Sequence, residues 1–460
     1  FSYASDYLGR LQKITYPDGE VVSYGYDAGG QVKTVSGEHN GLVTTYVTDI
    51  AYDPFGQRTY IEYGNGVRTS YSYDENRRWL DSISTLNSRG SVYQNMTYGF
   101  DLVGNVSGYE NKAGDYDTSQ TYHYDGLYQL TGVDGVSEGR KYGLTDYKSS
   151  YSQSFAYDAI GNMTAKQSSV TNSPSASLGD DLNYNLDYSY YSGKAHQAER
   201  IGNLYYRYDG NGNMIEERAG GHGTSTVLAG SVYTVGDVSM TDTGFGLDRG
   251  TTTDTPTSAT YARYFSWDEE NRLVRSVDNN ITVQYSYGAD GQRAVKYSRR
   301  GESLYFDSMW SCQTDIPSMR QLKNIFVGQT RIATRLSLQG ESSTGYEKVN
   351  TYYYHPDHLG SAQLVTDYEG DIYERIEYTP YGETWIERTS DSLDLIPFRF
   401  TGKELDSETG LYYYGARYLN PRSSMWLSAD PALGDYIPVA PVSDEARKHN
   451  QNLAGMGGVF

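Results

Sequence analysis

Cysteine is almost missing from this 460-residue chain, in which Cys312 is the single example. A lone thiol excludes a disulfide within the chain and argues against a zinc site built from cysteines. No apolar stretch approaches the roughly 18 residues that a membrane-spanning helix requires. Acidic residues outnumber basic ones 58 to 38, and the net charge of −20 argues against nucleic acid as the main partner, since phosphate carries the same sign.

Tyrosine and glycine are abundant, with 49 and 50 residues. Aromatic residues make up 14% of the chain, which argues against disorder because disordered chains are poor in aromatics. Tyr and Gly are weak helix formers and Tyr favours strands, so the composition also argues against a helix bundle. The composition therefore favours strands over helices.

A short unit recurs along the chain: an aromatic residue, a second aromatic anchor two positions later, then Asp, and Gly three positions after the Asp. The clearest copies contain Tyr26, Asp27 and Gly30; Tyr157, Asp158 and Gly161; and Tyr208, Asp209 and Gly212. Looser copies have their anchors at Tyr52, Tyr73, Phe100, Tyr124, Trp267 and Tyr287. The residue two positions before the anchor is aromatic in eight of these nine copies, which chance would not produce.

Each unit predicts a strand that enters a tight turn. Residues i and i+2 of a strand share a face, so the two rings lie side by side. Asp accepts hydrogen bonds from the backbone that follows it, and Gly adopts the positive φ that a reversal needs. The return strand then begins at an apolar residue such as Val32, Met163, Met214 or Leu273. Single hairpins are marginally stable, so we expect the copies to stack edge to edge into one antiparallel sheet.

The spacing of the anchors, from 20 to 59 residues, is irregular. It disfavours a propeller, whose blades repeat at about 40–45 residues, and favours a continuously wound ribbon. Two long gaps are predicted to contain insertions. Residues 165–182 are rich in Ser and predicted to form a loop, and residues 219–260 are a Gly/Thr/Ser tract with little periodicity.

Residues 352–431 carry a denser series of motifs. In order, they are Tyr353-Tyr354-His355-Pro356-Asp357-His358-Leu359-Gly360-Ser361, Tyr378-Thr379-Pro380-Tyr381-Gly382-Glu383, Phe400-Thr401-Gly402-Lys403-Glu404 and Thr409-Gly410-Leu411-Tyr412-Tyr413-Tyr414-Gly415-Ala416-Arg417-Tyr418. Together with the repeat, this ordered series resembles the YD-repeat, or rearrangement hot spot (RHS), family over most of the chain.

The resemblance implies an all-β fold in which an antiparallel ribbon of YD hairpins is wound into a hollow shell with a C-terminal plug-like segment. Residues 1–351 are then expected to form the shell and residues 352–431 the RHS signature segment, which turns inward from about Asp394. Residues 432–460 are expected to be an inward-turning or extended tail. The chain starts at Phe1 in the middle of the pattern, and we expect it to be a piece of a longer protein.

Many bacterial members of this family enclose a C-terminal toxin. The resemblance therefore implies a non-catalytic container, secreted or at the cell surface, whose partners are that cargo and the N-terminal delivery regions of a longer parent. Related repeats in animal teneurins form cell-surface scaffolds. An extracellular adhesion or glycan-binding protein, in which tyrosine rings stack on sugars, is the alternative.

A second alternative is part of an aspartyl autoprotease, which needs two carboxylates that share a proton. The family's first catalytic Asp follows an Arg by thirteen residues, the spacing of Arg417 and Asp430 here. Its second Asp lies in an Asp-Pro-x-Gly-Leu element that has no counterpart up to Phe460. We expect Arg417 and Asp430 to form an ion pair or an Asx-turn, or half of a site completed in a longer parent.

His355 and His358 flank Asp357 and invite comparison with a metal site. The surrounding sequence predicts a strand that ends in a turn containing Gly360, so we expect hydrogen-bonded turn residues and no metal. No helix signal follows the Gly-rich turns, which argues against phosphate loops, and no cofactor is expected.

Overall fold

A single antiparallel ribbon accounts for most of the molecule. The computed structural model describes residues 1–173, 179–220, 261–315, 318–338, 344–390 and 396–432. The strands of the ribbon are β1 (Ser2–Ser5), β2 (Leu11–Thr15), β3 (Val21–Tyr26), β4 (Val32–His39), β5 (Leu42–Tyr52), β6 (Arg58–Tyr63), β7 (Arg68–Tyr73), β8 (Leu80–Leu86), β9 (Val92–Phe100), β10 (Val106–Lys112), β11 (Tyr116–Tyr124), β12 (Leu130–Lys141), β13 (Leu144–Tyr157), β14 (Met163–Asn172), β15 (Tyr184–Tyr190), β16 (Ala198–Ile201), β17 (Leu204–Tyr208), β18 (Met214–Ala219), β19 (Ala262–Trp267), β20 (Leu273–Asp278), β21 (Thr282–Tyr287), β22 (Arg293–Ser298), β23 (Gly301–Asp307), β24 (Trp310–Asp315), β25 (Ser318–Val327), β26 (Thr330–Leu338), β27 (Thr351–His355), β28 (Leu364–Thr366), β29 (Ile372–Tyr378) and β30 (Thr384–Thr389). The other elements are helix α1 (Thr344–Val349), a 3-10 turn (Phe400–Gly402), and the strands β31 (Glu404–Asp406), β32 (Leu411–Tyr413), β33 (Tyr418–Asn420) and β34 (Met425–Trp426).

The topology of the ribbon is a continuous meander. Each strand from β1 to β30 pairs antiparallel with the next one in sequence, and together they form one sheet of 30 strands. The strands β31 to β34 form a separate four-stranded sheet. The prediction of an all-β antiparallel ribbon of YD hairpins is confirmed.

The Asp–Gly turns share one hydrogen-bond pattern. The Asp158 Oδ1 atom accepts the N–H of Ile160 at 3.0 Å and the N–H of Asn162 at 2.9 Å, and the Gly161 N–H donates to the Asp158 carbonyl at 3.1 Å. Gly161 has a φ of 87°, in the left-handed region that favours glycine. The same three bonds recur at Asp53 with Gly56 and at Asp209 with Gly212, and the bonds from Gln31 and Gly30 recur at Asp27. The return strands begin, as predicted, at Val32, Met163, Met214 and Leu273.

The anchor ring of most units is bonded to the hairpin before it. The Tyr157 hydroxyl donates to the carbonyl of Leu130 at 2.8 Å, and Leu130 begins the return strand β12 of the preceding unit. Seven further rings donate in the same way: Tyr26 to Leu11, Tyr52 to Val32, Tyr73 to Arg58, Tyr124 to Val106, Tyr190 to Met163, Trp267 to Met214 and Tyr287 to Leu273. These bonds join consecutive hairpins at the turn edge of the ribbon.

The loop predicted from residue 165 is wrong for its first part. Residues 165–172 continue β14, which pairs with β13 as far as Asn172. Lys166 and Ser168 are buried while Gln167 and Ser169 are exposed, so this Ser-rich stretch has the two-residue alternation of a half-buried strand. Parts of the two predicted insertions, the start of the predicted inward turn and the predicted tail lie outside the described residues. They fall on residues 174–178, 221–260, 391–395 and 433–460.

The ribbon curves so that one face of its early strands meets the strands of its far end. The Tyr16 hydroxyl donates to the Asn324 carbonyl at 2.9 Å. Further along, the Trp385 Nε1–H donates to the Ser149 hydroxyl at 2.8 Å, and the Trp385 ring packs on Tyr151 with centroids 4.6 Å apart. The apolar cores therefore form between two layers of one sheet.

Charged side chains join an early part of this curved ribbon to a late part. We call them the Glu20 cluster, which consists of Asp18, Glu20, His39, Lys323, Arg335 and Glu347. The Lys323 ammonium contacts the carboxylates of Asp18 and Glu20. The guanidinium of Arg335 lies 3.1 Å from the Glu347 carboxylate. The side chains of Glu20 and Lys323 are 0% and 2% exposed. Water cannot solvate these charges, so each one is stabilised by its partner.

Candidate functional site

Residues 396–432, which we call the C-terminal segment, lie against the ribbon instead of extending it. Their strands β31 to β34 form an antiparallel meander. The main chain is bonded to the ribbon near both ends, because the Ala362 N–H donates to the Arg399 carbonyl at 3.0 Å and the Met214 N–H donates to the Leu427 carbonyl at 2.8 Å. Leu427 also belongs to the largest apolar core, so the segment is an integral part of the fold.

A buried charge group holds the first strand of the C-terminal segment. The Nη1 atom of Arg293 lies 2.8 and 3.0 Å from the two carboxylate oxygens of Asp406, and the Nζ atom of Lys296 lies 3.2 Å from the Asp406 carboxylate. Arg293 also contacts Glu404 at 3.0 Å, and Lys296 contacts Glu408 at 3.2 Å. Burial opposes ionisation of Asp406, but the attraction of Arg293 and Lys296 outweighs it and lowers the pKa of that carboxyl. We call these five residues the Asp406 seat.

A second buried group, the Glu383 hub, holds the turn before β34. The Lys166 ammonium donates to Glu383 at 2.8 Å and to the carbonyls of Pro421 and Arg422 at 3.1 and 3.0 Å. The Tyr184 hydroxyl donates to the same carboxylate at 2.5 Å, and Arg422 contacts it at 3.2 Å. Burial lowers the pKa of Lys166, although Glu383 opposes this shift. The hub fixes two consecutive carbonyl groups of the C-terminal segment.

Arg417 and Asp430 are brought together as an ion pair of 2.7 Å. The other carboxylate oxygen of Asp430 accepts the Ala432 N–H at 3.0 Å, and the Arg417 guanidinium lies 4.2 Å from the centre of the Trp426 ring. Their side chains are 21% and 31% exposed, much more than those of the Asp406 seat. Ion pair and Asx-turn are therefore both present.

The predicted turn after His355 has the same bonds as a YD turn. Asp357 Oδ1 accepts the N–H of Leu359 at 2.9 Å and the N–H of Ser361 at 2.8 Å, and Gly360 has a φ of 82°. Burial raises the pKa of Asp357, with the charge of His358 acting in the opposite direction. The His358 ring packs edge-on against Tyr98, with centroids 4.8 Å apart. These residues pin β27 and β28 to the early strands.

His355 is fully buried at the end of β27. Its Nε2 atom lies 2.9 Å from the Thr366 hydroxyl, which also accepts a hydrogen bond from Asn65 at 2.8 Å. The Thr366 hydroxyl therefore connects His355 with Asn65. Burial lowers the pKa of His355 to about 3, so the ring is neutral at physiological pH.

The residues of the three clearest sequence repeats lie at one edge of the ribbon. The rings of Tyr26, Tyr157 and Tyr208 are half-buried between hairpins. Their partners in the three clearest repeats lie in the turns that follow: Asp27 with Gly30, Asp158 with Gly161, and Asp209 with Gly212. The hydroxyls of Tyr26 and Tyr157 donate to backbone carbonyls, so these rings are already engaged within the fold.

Sequence reasoning misses the residues that hold the C-terminal segment. Arg293 is 113 residues from Asp406, and Lys166 is 217 residues from Glu383, so no local pattern connects them. A weak signal exists in β14, where Lys166 occupies a buried position of an alternating strand. A charge at such a position requires a partner, but the sequence does not say which one.

One group of residues has metal-ligand chemistry within the described part of the chain. The donor atoms of Asp18, Glu20 and His39 lie within 4.8 Å of one another. The Lys323 ammonium contacts both carboxylates there. A lysine thus already occupies the position that a metal cation would take.

Tandem hairpins closed by Asp–Gly turns, joined by anchor rings and followed by a docked C-terminal segment, define a YD-repeat β-ribbon protein. The chain matches the family model described as Teneurin YD-shell over residues 1–450 and belongs to that family.

Known relatives include proteins named as toxins. The chain is 26% identical to Toxin subunit YenC1 of Yersinia entomophaga, covering 93% of this chain and 43% of that protein. It is also 26% identical to Toxin protein Tse5 of Pseudomonas aeruginosa, covering 69% of this chain and 25% of that protein. Teneurin-3 of Danio rerio is 24% identical, with coverages of 92% and 15%. The chain spans less than half the length of these relatives.

Solved structures share the fold. A crystal structure titled TcdB2-TccC3-Cdc42 matches with a TM-score of 0.64 and 22% identity, covering 94% of this chain and 20% of that one. A structure of the Photorhabdus luminescens Tc holotoxin pore matches with a TM-score of 0.63 at the same identity and coverage. Among the described residues, no helix has the length and apolarity needed to cross a membrane.

Proposed function

We propose that this chain forms wall and plug of a β-shell that encloses the polypeptide following its C-terminal segment. The observation that carries the proposal is the docking of residues 396–432, which the Asp406 seat and the Glu383 hub hold on buried charges. Removing one partner of a buried ion pair costs about 3–5 kcal/mol, so the loss of a charge in either group is expected to release the segment. The chain beyond Asp430 therefore starts at a fixed point against the ribbon.

The names of the relatives support a toxin as the enclosed cargo. YenC1 is a toxin subunit and Tse5 is a toxin protein. We further propose that the chain belongs to a longer, exported bacterial polypeptide whose N-terminal regions serve delivery. A net charge of −20 favours a basic cargo, because opposite charges attract within the confined space.

A protease-protection experiment tests the enclosure. An unfolded peptide with one protease site is attached after Phe460 in one version and before Phe1 in another. We expect the protease site after Phe460 to be cut at least about tenfold more slowly than the site before Phe1. The protease can cut an enclosed site only in the fraction of molecules in which the shell is open. Equal cutting rates at the two ends would contradict the proposal.

A matched variant distinguishes protection by enclosure from a protease site that is cut slowly at the C-terminal end for another reason. Asp406→Asn leaves Arg293 and Lys296 without their main counter-charge and is expected to release the C-terminal segment. Cutting after Phe460 should then accelerate, while cutting before Phe1 should not change. Circular dichroism checks that the ribbon itself stays folded.

A second proposal concerns Asp430. Its 2.7 Å contact with Arg417, at the spacing of the family's cleavage motif, favours half of an aspartyl autoprotease completed by a later Asp in a longer parent. This chain alone is then expected to stay intact. Incubation followed by intact-mass measurement checks this, and a new terminus that disappears in Asp430→Asn would show that the site is complete without further residues.

A further inference from the structure

An amine and two carboxylates meet at the centre of the Glu20 cluster. The Nζ atom of Lys323 lies 2.5 Å from Oδ2 of Asp18 and also contacts the carboxylate of Glu20. Asp18 and Glu20 belong to the turn after β2, whereas Lys323 belongs to β25 and is 303 residues from Glu20 in the chain. An amine, a carboxyl group that it can attack and a second carboxylate that can carry protons are the groups that an amide-forming condensation needs.

The surroundings of these three groups keep water away. Lys323 and Glu20 are buried, and the Asp18 side chain is 13% exposed. The rings of Tyr16 and Trp310 flank the ammonium, and the centre of each ring lies 5.6 Å from Nζ. In water, an acid and an amine both ionise, which favours them over the amide. Burial disfavours the charged forms, so transfer of a proton from the ammonium to a carboxylate, which leaves a nucleophilic amine, costs less here than in water.

The distance between the amine and Asp18 suits attack on the carboxyl carbon. A carboxyl C–O bond measures about 1.2 Å, so a nitrogen that lies 2.5 Å from Oδ2 is within about 3.7 Å of Cγ. Reacting atoms that are held about 3–3.5 Å apart reach effective concentrations of about 10⁵–10⁸ M. This gain offsets the preference of amides for hydrolysis in dilute solution.

The hydrogen bonds distinguish the two carboxylates. Both oxygens of Glu20 have partners, since Oε1 accepts the Tyr46 hydroxyl at 2.6 Å and Oε2 contacts Lys323. Oδ1 of Asp18 accepts the Glu20 N–H at 3.1 Å. Oδ2 of Asp18 is buried and accepts no hydrogen bond from the described residues, although the ammonium touches it. Because a leaving oxygen must be free to take up protons, Asp18 has the geometry of the attacked group and Glu20 that of the proton carrier.

We propose that Lys323 and Asp18 form an isopeptide bond within the folded chain, with Glu20 as the proton carrier. The Nζ atom forms a bond to Cγ, and two of its three protons move to Oδ2, one of them by way of Glu20. The Cγ–Oδ2 bond then breaks, one water molecule leaves, and Oδ1 becomes the amide oxygen. No oxidant or other reactant is needed. The bond makes the contact between the turn after β2 and β25 covalent.

Two other lysines are buried in the described part of the chain, and neither has this arrangement. Burial opposes the charge of Lys296, but the attraction of Asp406 outweighs it and raises the pKa of that lysine, which keeps it an ammonium. Both oxygens of Asp406 are also occupied by Arg293. Lys166 lies within ion-pair distance of one described carboxylate, that of Glu383, so it lacks a second one to carry protons.

The test is the intact mass of the purified chain under denaturing conditions, followed by protease digestion. We expect the mass to fall short of the sequence mass by one water molecule in most molecules. The digest should contain one branched peptide in which the side chains of Asp18 and Lys323 are joined. Lys323→Arg keeps the positive charge but lacks a primary amine, so this variant should have the full mass and no branched peptide. Circular dichroism checks that the variant is folded.

Two further variants test the proton carrier and the choice of lysine. Glu20→Gln keeps both reacting groups but removes the carrier, and proton transfer by a placed side chain contributes about 10²–10⁴-fold to a rate. The bonded fraction in Glu20→Gln should therefore be less than about one tenth of that in the unchanged chain. Lys166→Arg changes another buried lysine and is the matched control, which should keep the branched peptide.

Loss of water has a second possible source, because Asp18 precedes Gly19 and a cyclic imide at this step also releases one water. A loss from that imide would survive Lys323→Arg and give no branched peptide, and this result would overturn the proposal. So would a full sequence mass in the folded, unchanged chain, or a branch at Glu20 instead of Asp18.

Discussion

Asp406 and Asp430 lie in the same C-terminal segment and both pair with an arginine, yet their surroundings differ. The Asp406 side chain is 0% exposed and is shared between Arg293 and Lys296, whereas Asp430 is 31% exposed and pairs with Arg417. Water can replace the partner of an exposed carboxylate but not that of a buried one. The two residues therefore serve as a matched pair for measuring what holds the segment.

We predict that Asp406→Asn lowers the free energy of unfolding by about 3–5 kcal/mol, because Arg293 and Lys296 stay buried without a full counter-charge. Asp430→Asn should cost about 1 kcal/mol or less. Urea denaturation of the two variants measures both values. Similar losses would show that burial does not govern the strength of these pairs.

The free energy of unfolding should decrease at acid pH because of His355. Its pKa in the folded state is about 3, against an ordinary value of 6.5, so the unfolded chain binds a proton that the folded chain excludes. Stability is then fully present above about pH 6.5 and is lost as the pH falls, by about 2 kcal/mol at pH 5. Urea denaturation at both pH values, compared with His355→Gln, isolates this contribution, and equal losses in the two proteins would contradict it.

At the scale of the element, the YD turn is a local structure that Asp and Gly specify together. The Asp158 carboxylate accepts two backbone N–H groups within four residues and also the side chain of Asn162 at 2.8 Å. All of these bonds lie within one short stretch of sequence. The turn can therefore be tested by changing a single residue.

Asp158→Ala should lower stability by about 1–2 kcal/mol, since the two backbone bonds are lost at a partly exposed site. Asp158→Asn keeps an acceptor oxygen and should cost less than half as much. Hydrogen exchange at the Ile160 and Asn162 amides reports the turn directly. If Ala and Asn had the same effect, the carboxylate bonds would not be what holds the turn.

The same locality explains what could be predicted from sequence. The turn at Asp158 and Gly161 and the strand start at Met163 follow from residues a few positions apart, and the structure contains them. The pairing of Lys166 with Glu383 depends on how far the ribbon curves, which no local pattern encodes. The loop predicted from residue 165 failed because serine suits both turns and the faces of strands.

At the scale of the whole molecule, the Glu20 cluster closes the curved ribbon. It connects the turn after β2 with β25, β26 and helix α1, about 300 residues later in the chain. The contact joins the early strands of the sheet to β25 and β26, so we expect it to influence the curvature of the strands between them.

Lys323→Met should open this closure, because Asp18 and Glu20 would lose the ammonium group that they share. We expect a loss of about 3 kcal/mol or more, faster hydrogen exchange in β2, β3 and α1, and a larger radius of gyration in solution scattering. Lys33→Met is the control. It removes the exposed ion pair in which Lys33 lies 3.6 Å from Asp49, and it should change neither the stability, the hydrogen exchange nor the radius of gyration. Unchanged scattering in Lys323→Met would mean that apolar packing alone sets the curvature.

In every anchor bond the donor ring belongs to the later hairpin and the acceptor carbonyl to the earlier one, as with Tyr73 and Arg58. A nascent chain leaving the ribosome therefore presents each acceptor before its donor has been synthesised, and every new hairpin meets a template that is already complete. The order of translation is also the order in which the ribbon can assemble. Contacts between early and late strands, such as that of Glu20 with Lys323, form only after the later strand has been synthesised.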